Sequence, residues 1–193
     1  MFGKPAGMYI DEELTMPLQF SQYKSDMHTA ISRLDRSGQC KFAAWCCNVI
    51  LTDKEVRACL SQRPGGRTFL RALEAVLDDI RRGLCADRQR VEALVETTDP
   101  FLPDGILGNV EQHEAAGRSR VLSSLEVIDA FLGWGLSGNV AYLEECAVAR
   151  LDWVGMLNTD EERDDCNLLR QEALNQLQVL HDLQSDKRPA LVL

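Results

Sequence analysis

Apolar residues recur along this chain at three- and four-residue steps, the period of a helix with one face on a core. The clearest run lies from Arg67 to Leu84. Phe69, Leu70, Leu73, Val76, Leu77, Ile80 and Leu84 share one face there, and Arg71, Glu74, Asp78 and Arg81 fall largely elsewhere. Val121, Leu122, Leu125, Ile128 and Leu132 predict a second such helix, starting by about Glu111. Val140, Leu143, Ala147, Leu151 and Val154 predict a third. Leu169, Ala173, Leu177 and Leu180 predict a last helix that ends near Ser185. Between Cys40 and Leu51 the chain is apolar on most faces, through Phe42, Ala43, Trp45, Cys46, Val49 and Ile50. A helix of that kind belongs at the centre of a bundle. Alternation of the strand type never exceeds a few residues.

Turn and cap residues divide these runs. A helix is predicted from about Asp26 to Asp35, before Ser37-Gly38. Thr52-Asp53-Lys54-Glu55 and Thr159-Asp160-Glu161-Glu162 both have the spacing of a capping box, with the threonine as cap. The helix after the first box runs to about Gln62, where Pro64-Gly65-Gly66 stops it. Asp87 caps a shorter helix to Glu96. The longest loop is placed from Thr97 to Gly108, turned by Asp99-Pro100 and Pro103-Asp104-Gly105 and anchored by Phe101 and Leu102. In Leu132-Gly133-Trp134-Gly135-Leu136 the glycines weaken a helix. They allow either close helix approach or a loop, and a helix end with a loop is the preferred reading. The whole predicts an all-α fold: a single compact helical bundle of about seven helices whose short connections favour antiparallel neighbours. Residues 1–24 read as an irregular N-terminal arm, 25–185 as the all-helical domain, and 186–193 as a C-terminal tail that is basic, then apolar.

Charge narrows the partners. The chain of 193 residues carries 21 basic and 30 acidic side chains, a formal net charge of −9. Such a surface repels phosphate backbones, so nucleic-acid binding is disfavoured. No apolar run approaches the roughly 18 residues that a membrane span needs. The first fifteen residues include acids and lack a long apolar stretch, so no signal peptide is expected. The seven cysteines, mostly inside apolar runs, read as free thiols in a reducing cytoplasm.

Candidate chemistry is sparse. A di-iron bundle needs Glu-x-x-His on a helix face. Ser25, Val110 and Gln178 stand three residues before His28, His113 and His181, so the carboxylates are missing. Cys40, Cys46 and Cys47 make a poor zinc frame, because adjacent helical residues point about 100° apart. Cys146 and Cys166 lie among acids, which raise a thiol pKa. Cys85, near Arg81, Arg82 and Arg88, is the best thiolate candidate of the seven, against a plain surface or half-buried thiol. Gly65, Gly66 and Arg67 form a candidate anion site at a helix start. The lysine and spacing of a phosphate-binding loop are absent, and a turn before a helix is the competing reading. His113, Arg118 and Arg120 form a candidate ligand site, against a solvated helix face. No catalytic residue, metal ligand set or cofactor is assigned.

Ile31-Ser32-Arg33-Leu34, Lys41-Phe42-Ala43-Ala44-Trp45-Cys46-Cys47 and the stretch from Gly66 to Ile80 resemble a bacterial family of unknown function, DUF416, the YjaG-like proteins. A weaker echo runs from Ile128 to Ser137. The resemblance spans roughly residues 26–184. It implies a compact all-α fold in a cytoplasmic bacterial protein that can form homodimers, and it supplies no catalytic residue. Three functions are weighed. The first is a non-enzymatic interaction protein with an acidic helical surface, one version being an immunity-like binder of a basic toxin or nuclease. The second is a small-ligand binder or enzyme whose site is assembled only in the fold. The third is self-association through the arm or the Ala190–Leu193 tail.

Overall fold

A computed structural model describes residues 19–85, 88–98, 115–155 and 165–185. Eight helices make up the described chain: α1 (Phe20–Ser32), α2 (Arg36–Thr52), α3 (Lys54–Ser61), α4 (Gly66–Arg81), α5 (Arg88–Thr98), α6 (Ala115–Ser137), α7 (Ala141–Gly155) and α8 (Asp165–Gln184). There is no strand among the described residues, so the chain is an all-α bundle, and the described residues alone hold eight helices against the seven expected. None of the helices is long and apolar enough to cross a membrane. The predicted long loop is overturned at its start, because Thr97 and Thr98 belong to α5. From Asp99 on it lies outside the described residues, as do the Asp87 cap, the second capping box, and the arm and tail proposed for self-association, except for Gln19 onward.

α2 is the central helix, as its apolar pattern requires. Phe42, Ala43, Cys46, Cys47 and Ile50 are fully enclosed, and α2 packs against α3, α4, α6, α7 and α8. The face predicted on α4 is buried from Phe69 to Ile80, but Leu84 lies beyond the helix end and is exposed. Arg82 closes α4, and Gly83 (φ 87°) turns the chain away there. The tightest helix pair is α6 with α7, joined by Gly138 to Val140. α1 packs on α7 and α8.

Helix starts and caps also differ from the sequence reading. α1 begins at Phe20, inside the stretch assigned to the arm, because Tyr23 extends the buried stripe of Met27 and Ile31 by one turn. α2 begins at Arg36. Asp35 caps it by accepting from the Gly38 N–H at 2.7 Å, which lets Ser37-Gly38 sit inside the first turn instead of interrupting it. The cap of α3 is Asp53 and not Thr52. The Asp53 carboxylate accepts from the N–H groups of Glu55 and Val56 at 2.8 and 3.1 Å. Thr52 remains in α2 and returns its hydroxyl to the carbonyls of Asn48 and Val49. A carboxylate at the N-cap accepts charge-assisted bonds and also faces the positive end of the helix dipole.

The glycines of Leu132–Leu136 provide close helix approach; the preferred reading of a helix end with a loop is overturned. α6 continues to Ser137. A Cβ at Gly133 would lie 2.7 Å from the Tyr142 ring, and one at Gly135 would lie 2.9 Å from Val91. Packing of α6 on α7 and α5 thus outweighs the roughly 1 kcal/mol that glycine costs a helix interior. The break comes at Gly138 (φ 71°), whose N–H bonds the Trp134 carbonyl at 2.7 Å. Asn139 then accepts from the Ala141 N–H and starts α7.

Candidate functional site

The densest polar chemistry in the described chain is buried where α1, α2, α7 and α8 meet. Tyr23 on α1 donates its hydroxyl to Gln176 Oε1 at 2.6 Å. Gln176 is fully buried on α8 and donates through Nε2 to the Ala147 carbonyl at 3.1 Å and to Glu172 Oε1 at 3.2 Å. Glu172 also accepts from Arg150 Nε at 2.6 Å. Arg150 reaches past it to the Trp45 carbonyl at 3.1 Å, and its guanidinium lies 3.7 Å from the centre of the Trp45 ring. The ion pair is largely enclosed, with side-chain exposures of 13% for Arg150 and 10% for Glu172. Every member has a partner, as a buried polar network requires if it is not to destabilise the fold.

Cys46 and Cys47 on α2 lie beside this network, and Cys146 on α7 lies beside these two thiols. All three are fully buried, and the Cys146 thiol donates weakly to the Val127 carbonyl at 3.5 Å. Burial pushes the Cys46 thiol up to about 12, with Arg150 opposing the rise and Glu172 adding to it. Burial likewise holds Cys47 and Cys146 well above the ordinary thiol range. Burial, then Cys46, Glu172 and Asp152, raise the Tyr23 phenol. These groups are therefore protonated at neutral pH, and a protonated thiol is a poor nucleophile and a poor metal ligand. Cys40, Cys46, Cys47, Cys59, Cys85 and Cys146 are all free; of these only Cys85 is exposed. No group of three or more His, Cys, Asp or Glu among the described residues is arranged to hold a metal ion.

Among the described sequence-derived candidates, Arg120 and Gly66 are already engaged within the fold. Arg120 is tied to the cap of α3: it pairs with Asp53 Oδ2 at 3.5 Å and with Glu55. Its charge is thereby committed to two carboxylates, and its side chain is 17% exposed. His113 lies outside the described residues, and only the backbone of Arg118 is described. At the anion candidate Gly65 and Arg67 are exposed but Gly66 is buried. The Gly66 N–H donates to the Arg63 carbonyl at 3.0 Å, and a Cβ on Gly66 would lie 1.8 Å from the Leu60 carbonyl oxygen. Gly65 takes φ 80°, which favours glycine. Both glycines are thus required by a tight turn against α3.

Carboxylates form the other feature of the surface. α6 exposes Glu126 and Asp129, and α7 exposes Glu145 and Asp152. None of the four makes an ion pair among the described residues. Partial burial raises the Glu126 carboxyl, and the charge of Asp152 raises it further; partial burial also raises Asp152. Glu126 on α6 therefore feels the like charge of Asp152 on α7. By contrast Glu144 meets His28 Nδ1 at 2.6 Å. A groove of about 270 Å³ lies apart from this face, between α1 and α8.

Sequence reading missed the buried network. Its signal was Arg150 beside the stripe of Ala147 and Leu151, and Glu172 and Gln176 at a four-residue step flanking Ala173. Polar residues at helical spacing along a core face are a trace of a buried network, but spacing does not say which helices meet there. No family model, no curated protein and no solved structure gives a significant match to this chain.

Proposed function

We propose that this chain is a non-enzymatic interaction protein that docks a basic partner protein on the acidic stripe of α6 and α7. The observation that carries the reading is the set of Glu126, Asp129, Glu145 and Asp152, exposed on adjoining helices and unpaired with any cation among the described residues. An acidic face of this kind steers a basic partner towards it and repels phosphate. The buried chemistry supports the same reading from the other side. Its hydrogen bonds close on themselves, and its thiols are held protonated, so it suits the holding of a rigid scaffold. The free cysteines fit a reducing compartment such as the cytoplasm. An immunity-like protein that covers a basic toxin or nuclease is one form of this function.

The likeness to DUF416 proteins adds no activity. Phe42, Trp45, Phe69, Leu73 and Leu77, which help carry it, are all buried, and such positions constrain packing and not chemistry.

The test is capture from extracts of the cells that make the protein, with the wild type and a variant carrying Glu126→Gln, Asp129→Asn, Glu145→Gln and Asp152→Asn. The expected result is a basic protein retained by the wild type, released by moderate salt, and lost with the variant. Equal retention by both chains would remove the acidic stripe from the account.

A further inference from the structure

We draw no further inference here: the strongest candidate, the groove between α1 and α8 lined by Asp26, Thr29, Arg33, Leu177, His181 and Gln184, carries nothing because Asp26, Thr29 and Gln184 are already hydrogen-bonded within or between these helices, Arg33 sits at the C-terminus of α1 whose negative end offsets its charge, and nothing in the structure shows what covers it.

Discussion

Glu172→Ala is the sharpest test of the buried network. The substitution deletes the acceptor of Arg150 Nε at 2.6 Å, one acceptor of Gln176 Nε2 at 3.2 Å and that of Asn175 at 3.5 Å. Arg150 retains the Trp45 carbonyl and the face of the indole, but its charge is left enclosed without a counter-ion. Removing one partner of a buried pair costs about 3–5 kcal/mol. That is a large share of the roughly 5–15 kcal/mol by which domains are stable. With an m-value of about 2.5 kcal/mol per M in urea, the midpoint falls by about 1–2 M. The assay is urea unfolding followed by far-ultraviolet circular dichroism at neutral pH. A double variant, Arg150→Met with Glu172→Leu, removes both charges and recovers to within about 1 kcal/mol of the wild type, since well-packed apolar replacements of such pairs are often neutral. A loss below about 1 kcal/mol for Glu172→Ala would show that water solvates the pair, and a double variant no better than the single would show that charge burial is not the cause.

Four further outcomes follow from the geometry. Gly66→Ala, which should gain from alanine's helix propensity, instead destabilises by about 1–3 kcal/mol or more through collision with the Leu60 carbonyl; Gly133→Ala costs less because the Tyr142 ring, half-buried, can move. Thermal unfolding of the two variants separates these cases. Asp53→Ala costs about 1–2 kcal/mol as a lost cap, whereas Thr52→Ala changes stability by only a few tenths, and the reverse order in urea unfolding would restore the threonine cap. Asp152→Asn raises stability at pH 7, by less than about 1 kcal/mol because the site is solvent-screened. The folded carboxyl is raised, so protonation stabilises below the unfolded pKa and that stability is lost as pH rises through the folded one; the gain over wild type must therefore shrink as acid protonates the wild-type group. In a Cys166→Ser background, thiol titration of the native protein with a disulfide reagent shows one fast phase, removed by Cys85→Ser, while Cys46, Cys47 and Cys146 react only on unfolding.

How much of this was legible in the sequence depends on the range of the interaction. Stripes of three- and four-residue period are local, so α4 and the apolar α2 are readable from Phe69 to Ile80 and from Phe42 to Ile50. Caps are also local, yet Thr52 and Asp53 both suit the role, and only the course of the preceding helix decides between them. Gly133 and Gly135 were misread because their reason lies in Tyr142 on α7 and Val91 on α5, each outside α6 itself. The same holds for the network: Tyr23 and Gln176 are 153 positions apart, and Arg150 meets the Trp45 carbonyl across 105. Arg120 was legible as a cation but not as a partner of Asp53, which is 67 positions away. Candidate sites were thus harder to read than helices, because chemistry depends on which distant side chains already satisfy one another.

The central claim is that the acidic stripe of α6 and α7 is the working surface. Its most direct measurement is amide hydrogen exchange of the protein alone and with the basic partner retained by capture. The account predicts slowed exchange along α6 and α7 around Glu126, Asp129, Glu145 and Asp152, with α1 and the far end of α8 unchanged. Protection centred on the α1–α8 groove, with α6 and α7 unaffected, would contradict it.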